Sequence, residues 1–105
     1  MKTITVQELK NLKDANTEFQ LIDVREPHEY ELCHLEGELI PLNSVMQHAD
    51  KIRKDIPVVV MCRSGKRSAT AINALETQFG FTNLANLDGG ILAWADEIDT
   101  TVPKY

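Results

Sequence analysis

Cys62 is preceded by Val58, Val59, Val60 and Met61 and followed by Arg63, Ser64, Gly65, Lys66, Arg67 and Ser68. An apolar run of strand length therefore delivers one thiol to a short cationic loop. A helical pattern starts directly after the loop. This order places the thiol at the tip of a buried strand, facing the N-terminus of a helix. Free backbone N–H groups and the helix dipole there favour negative charge. Arg63, Lys66 and Arg67 add positive charge, and no Asp or Glu lies between Ile56 and Leu75 to cancel it. Such surroundings lower a cysteine pKa and favour thiolate at neutral pH. The site therefore reads as a nucleophile, Cys62, beside an oxyanion cradle. Arg63, Ser64, Gly65, Lys66, Arg67 and Ser68 are the residues expected to bind the substrate anion. Gly65 suits a turn with positive φ, and such turns build anion nests. The rival reading of Cys62 is an inert buried thiol, which would leave the cations around it with nothing to act on.

Other residues read more simply. Asp23 and Arg25 are expected to form a buried structural pair at the end of a strand. His34 reads as a satisfied histidine, because a preformed thiolate needs no general base. Trp94 reads as core. Cys33 and His34 are adjacent rather than chelate-spaced, and no second Cys/His pair exists, so a zinc site is not expected.

The elements that must position the loop are legible in outline. Thr5-Val6-Gln7-Glu8 fits a capping box, followed by Val6, Leu9 and Leu12 on one helical face. Phe19 to Val24 reads as a buried strand. Glu26-Pro27 reads as a helix start, with a short helix through Leu32. Leu39-Ile40 is a candidate short strand, and Asn43 a candidate cap for a helix through about Ile52. Pro57 opens the central strand Val58–Met61. Ala69, Ile72, Leu75 and Phe79 form the next helical stripe, closed by Gly80. Leu84–Leu87 reads as a strand, and Gly89-Gly90 leads into a last helix with Ile91, Ala95 and Ile98 on one face. Asp99 to Tyr105 gives no clear signal. The alternation of strands and helices predicts an α/β fold, with a mainly parallel central sheet flanked by helices on both faces.

The loop Cys62-Arg63-Ser64-Gly65-Lys66-Arg67-Ser68-Ala69 resembles the active-site loop of the rhodanese family, Cys-Arg-x-Gly-x-Arg-Ser. Leu21-Ile22-Asp23-Val24-Arg25-Glu26, then Glu29-Tyr30 and His34-Leu35-Glu36-Gly37, are similar to that family's first signature. Gly80-Phe81-Thr82-Asn83-Leu84, Leu87-Asp88-Gly89-Gly90 and Ala93-Trp94 are similar to its closing one. The resemblance spans about residues 4–94, in the family's order. Three departures fall together: Cys33 stands where the family has Gly, Glu36 where it has Pro, and Glu38 where it has a small residue. The resemblance implies a single rhodanese-like domain over residues 1–105. It implies a sulfurtransferase that moves a sulfane sulfur from thiosulfate or a similar donor to a thiol or cyanide, through a Cys62 persulfide. No metal or organic cofactor is implied. The acceptor would be a small thiol or a protein thiol, and a persulfide carrier serving a protein partner is the alternative. A cysteine-dependent phosphatase or arsenate reductase is a further alternative, but in this family that chemistry goes with a longer loop. Here Cys62 to Arg67 is a six-residue loop.

Composition is consistent with this reading. The 105 residues are 43% hydrophobic and 26% charged, enough for one core. The net charge of -5 argues against general affinity for nucleic acid or an acidic membrane. The first residues lack the apolar core of a signal peptide, and no run is long enough to span a bilayer, so a cytoplasmic location is expected. Two cysteines are too few for a disulfide framework. Cys33, with Glu29, Glu31, Glu36 and Glu38 near it in sequence, is expected to be a spectator. Oligomeric state is left open by the sequence.

Overall fold

The apolar run Val58–Met61 becomes the middle strand of a five-stranded parallel sheet. The computed structural model describes residues 1–105. Its strands are β1 (Lys2–Ile4), β2 (Gln20–Asp23), β3 (Glu38–Leu39), β4 (Val58–Met61) and β5 (Leu84–Leu87). They lie in the order β1-β5-β4-β2-β3, and every neighbouring pair is parallel. Four α-helices connect or follow them: α1 (Val6–Asp14), α2 (Pro27–Leu32), α3 (Lys66–Phe79) and α4 (Gly90–Glu97). No helix is long and apolar enough to cross a membrane.

β4 is buried at every position. Strand alternation sends Val58, Val60 and Cys62 into one apolar cluster and Val59 and Met61 into another. The first cluster is closed by Ala71, Ile72 and Leu75 of α3 and by Val45, Ala49 and Ile52. The second is closed by Val6 and Leu9 of α1 and by Ile91 and Trp94 of α4. Helices thus cover both faces of the sheet, as the alternating pattern predicts. Each fully buried Val or Leu contributes roughly 1.5–3 kcal/mol, so this two-sided burial is what holds β4 in place.

The strand order also locates the site. β2 leads outward to β3 on one side of the sheet, and β4 leads to β5 on the other. Chain segments therefore diverge at the C-terminal ends of β2 and β4. In open parallel sheets this is the crevice where ligands bind. Cys62 is the first residue past β4, and Val24 and Arg25 are the first residues past β2.

Local signals set most boundaries. The Thr5 hydroxyl accepts the Glu8 N–H at 3.1 Å, and the Glu8 carboxylate accepts the Thr5 N–H at 2.9 Å, which completes the capping box of α1. Pro27 begins α2. Gly80 ends α3 with φ +71.

Several expectations need correction. The segment expected to form a helix from Asn43 to Ile52 forms two short 3-10 turns, Leu42–Ser44 and Ala49–Lys51. Its apolar residues are buried without a continuous α-helical ladder, and Pro41 restricts its entry. Phe79 is exposed, and the buried stripe of α3 is Ser68, Ala71, Ile72 and Leu75. The third strand lies one residue earlier than expected, at Glu38–Leu39. β1 was not anticipated. It is a mostly exposed edge strand whose place comes from pairing with β5, from Lys2–Ala85 to Ile4–Leu87. The tail after α4 is also built into the fold: Val102 and Tyr105 pack against the second cluster.

Candidate active site around Cys62

α3 has an N-cap that cannot cap. Gly65 precedes Lys66 with φ +105 and has no side chain to accept the helix's free N–H groups. The Cys62 sulfur takes that role. It accepts the N–H of Gly65 at 3.1 Å and that of Ser68 at 3.4 Å. The Ser68 hydroxyl lies 3.4 Å from the same sulfur. Cys62 is 0% exposed. Burial pushes its pKa up, but the Ser68 hydroxyl and the N–H groups of Ser68, Gly65 and Ser64 outweigh burial and leave it below the ordinary thiol value. N–H groups aimed at a buried sulfur favour its anionic form over the neutral thiol.

Two neighbours hold the loop in this shape. Asn86 on β5 accepts the Ser68 O–H at 2.5 Å and donates to the Gly65 carbonyl at 3.0 Å. Gly90 opens α4 with φ +61, so close to the loop that a Cβ would sit 2.4 Å from the Arg63 carbonyl oxygen and 2.5 Å from that of Cys62. The close approach lets the N–H of Ile91 reach the Cys62 carbonyl at 3.0 Å and that of Leu92 reach the Arg63 carbonyl at 3.2 Å. With these carbonyls held by α4, the N–H groups that follow turn toward the sulfur.

The three loop cations have different fates. Lys66 is exposed and forms no ion pair. Arg63 is exposed, and its guanidinium lies 5.0 Å from the ring centroid of Tyr105. Arg67 forms a two-pronged pair with Glu29, at 2.6 and 2.9 Å. The loop lacks acids in sequence but not in space, which corrects the expectation that nothing cancels Arg67. The Arg67 pair holds the Glu29 carboxyl well below the usual carboxylate range, against the opposing effect of burial. Ser64 is exposed and serves the sulfur through its backbone.

Asp23 and Arg25 form the expected buried pair, with contacts between 2.8 and 3.1 Å. Arg25 is 0% exposed and also donates to the Cys33 carbonyl at 2.8 Å and to the Tyr105 hydroxyl at 2.9 Å. Every charge buried here has a partner, the condition under which such groups are tolerated. His34 is exposed, stacks on Tyr30 and accepts the Glu36 N–H at 3.0 Å. Glu36 adopts φ +64. Proline cannot adopt that value, so the loop at residues 33–38 takes a shape of its own where the motif departs. Cys33 packs against the second cluster and Cys62 belongs to the first, so the two thiols lie on opposite faces of the sheet, and both are free. No three His, Cys, Asp or Glu side chains converge as metal ligands.

Sequence reasoning missed Glu29, Asn86, Gly90 and Tyr105 as parts of this site. Glu29 and Gly90 lie inside recognised motifs, which was the available signal. Asn86 is a polar residue in an otherwise apolar strand, a weaker one.

The model of the rhodanese-like domain matches residues 5–97. This chain belongs to the rhodanese-like domain family. It is 36% identical over 106 aligned positions to the probable adenylyltransferase/sulfurtransferase MoeZ of Mycobacterium tuberculosis, with 98% of this chain and 27% of that protein covered. It is 35% identical over 95 positions to the adenylyltransferase and sulfurtransferase UBA4 of Saccharomyces cerevisiae, covering 80% of this chain and 22% of that protein. The chain thus spans about a quarter of the length of these curated relatives. Among solved structures, the rhodanese-like domain protein from Staphylococcus aureus superposes with a TM-score of 0.83 at 31% identity, covering 93% of this chain and 95% of that one. The rhodanese-like domain described here is therefore homologous to domains of proteins named as sulfurtransferases.

Proposed function

We propose that this rhodanese-like domain is a sulfurtransferase that carries a sulfane sulfur on Cys62. The observation that supports this reading best is the sulfur of Cys62 seated on the N–H groups of Gly65 and Ser68 at the start of α3. The Cys62 thiolate attacks the outer sulfur of thiosulfate or a similar donor. The donor's S–S bond breaks, and sulfite leaves with the electron pair. The product is a Cys62 persulfide, its terminal charge held by the loop N–H groups. An acceptor thiolate or cyanide then attacks the terminal sulfur, and Cys62 leaves as thiolate, ready for the next cycle. The cycle needs no metal and no organic cofactor. Arg63 and Lys66 draw the anionic donor, Arg67 fixes the edge of the cradle through Glu29, and Ser68 steadies the thiolate.

The six-residue loop fits one sulfur better than a whole phosphate. Treating the reduced protein with thiosulfate is expected to add the mass of one sulfur atom and release sulfite, and Cys62→Ser is expected to abolish both. Aryl phosphates are expected to turn over negligibly beside thiosulfate. A Cys62→Ser variant that keeps both adduct and turnover, or a phosphatase rate above the sulfurtransferase rate, would overturn the reading.

A second reading concerns the acceptor. The acceptor would then be a protein thiol and the domain a persulfide carrier for a protein partner; two relatives bear names that join sulfurtransferase to a second activity, adenylyltransferase, in one protein. The Cys62 chemistry is the same in both readings. A cytoplasmic setting, where thiols stay reduced, suits either one.

A further inference from the structure

The tail after α4 follows a built path to the site. The Asp99 side chain accepts the Thr101 N–H at 3.0 Å. Val102 packs on the second apolar cluster. The Cys33 thiol faces the Pro103 carbonyl at 3.8 Å, and Lys104 pairs with Asp96. The path ends at Tyr105, which is half-buried. Its hydroxyl accepts from Arg25 at 2.9 Å and donates to Glu29 at 2.7 Å. Its ring lies 5.0 Å from the Arg63 guanidinium and 5.9 Å from that of Arg25. Through Glu29 it also bears on Arg67, at one remove. Tyr105 therefore engages both arginines of the Cys62 loop, and Lys66 alone among the loop cations is uncommitted. Arg63, the residue after Cys62, links the Tyr105 ring to the loop directly, and Glu29 links the Tyr105 hydroxyl to Arg67. Cys62 itself has no exposed surface.

We propose that Tyr105 is a specificity-determining residue of this site: docked across Arg63, Arg25 and Glu29, it limits the approach to Cys62 to small donors and acceptors. An incoming anion must compete with the Tyr105 ring for Arg63, since a cation held over an aromatic face is already partly satisfied. A larger acceptor must displace the ring. Displacement is local, because Arg25 keeps Asp23 and the Cys33 carbonyl and Glu29 keeps Arg67 when Tyr105 leaves. The proposal rests on Cys62 being the reactive thiol, and alkylation tests access to that thiol without any sulfur donor.

The test uses a Cys33→Ser background, so that only Cys62 reports. Rates of alkylation are compared for iodoacetamide and for a bulky maleimide carrying a polyethylene glycol chain, with and without Tyr105→Ala and Tyr105→Phe. Tyr105→Ala is expected to raise the bulky reagent's rate roughly tenfold, the rate equivalent of losing contacts worth one ordinary hydrogen bond, and the small reagent's rate far less. Tyr105→Phe keeps the ring and loses the hydroxyl, and is expected to fall between parent and Ala. With thiosulfate, Tyr105→Ala is expected to lower KM and leave kcat near its parent value. Unchanged size discrimination in Tyr105→Ala would overturn the proposal, as would equal acceleration of both reagents in Ala and Phe alike, which marks general loosening. Clear size gating without any thiosulfate turnover would support Tyr105 and count against the sulfurtransferase reading instead.

Discussion

At the scale of single residues, the site turns on what reaches one sulfur atom. The Ser68 hydroxyl sits between two acceptors, the Cys62 sulfur at 3.4 Å and the Asn86 carbonyl oxygen at 2.5 Å. Its proton serves the sulfur only when it turns away from Asn86. The Ser68 hydroxyl and the loop N–H groups hold the Cys62 pKa below that of an ordinary thiol, so its alkylation is expected to reach half its maximal rate at lower pH than that of a free cysteine measured alongside. Ser68→Ala removes a stabiliser of the charged form, and its profile is expected to move to higher pH. A pH series of iodoacetamide rates checks both. Glu29 makes a second prediction. Its carboxyl is held down by Arg67, so its contribution to stability is present above the unfolded value near about pH 4.3 and is lost as pH falls through the lower folded value. Arg67 keeps 33% of its side chain in water, which discounts the pair. Glu29→Gln is expected to cost roughly 1–3 kcal/mol at neutral pH, and less in acid. Urea unfolding of both proteins across this pH range measures the difference.

At the scale of elements, the loop is a junction of three segments rather than a stretch of chain. α3 offers its first N–H groups to the sulfur, α4 offers its own to the Cys62 and Arg63 carbonyls, and Asn86 of β5 ties Gly65 and Ser68 together. The glycines divide accordingly. Gly80 has positive φ and open space around the place of a Cβ, whereas at Gly90 a Cβ would strike the backbone of Cys62 and Arg63. Gly80→Ala is expected to cost about 1 kcal/mol, from backbone strain alone, and to spare Cys62 reactivity. Gly90→Ala is expected to cost roughly 2–4 kcal/mol and to slow alkylation of Cys62, because overpacking must move the loop. Thermal melts with parallel alkylation rates separate the two effects.

At the scale of the whole molecule, the sheet decides which groups can meet. It keeps Cys33 and Cys62 on opposite faces. Cys33→Ser is therefore expected to leave thiosulfate turnover within about twofold of the parent, since a thiol on the opposite face cannot attack the Cys62 persulfide, and the Cys33 carbonyl that Arg25 binds stays in place. Mass spectrometry under turnover is expected to show no Cys33–Cys62 disulfide. A large fall in acceptor-dependent turnover, with such a disulfide trapped in the parent, would make Cys33 a resolving thiol instead. The same sheet brings α2 of the β2–β3 crossover against the start of α3, which is how Glu29 meets Arg67 across 38 positions of sequence.

What the sequence by itself determined was local in origin. The capping box of α1, Pro27 at the start of α2, the buried run of β4 and Gly80 after α3 each depend on residues a few positions apart. The Cys62 loop was legible for the same reason, since its N–H groups and sulfur lie within seven consecutive residues, Cys62 to Ser68. Contacts between distant segments were decided only in three dimensions. β1 is a strand because β5 pairs with it, and residues 42–52 bury their apolar side chains without forming a continuous helix. The acid absent from the loop in sequence arrives from α2, and a tail without pattern ends with Tyr105 against Arg25, Glu29 and Arg63. Charge and hydrogen bonding act through space, so a one-dimensional reading finds the cations but not the partners that occupy them.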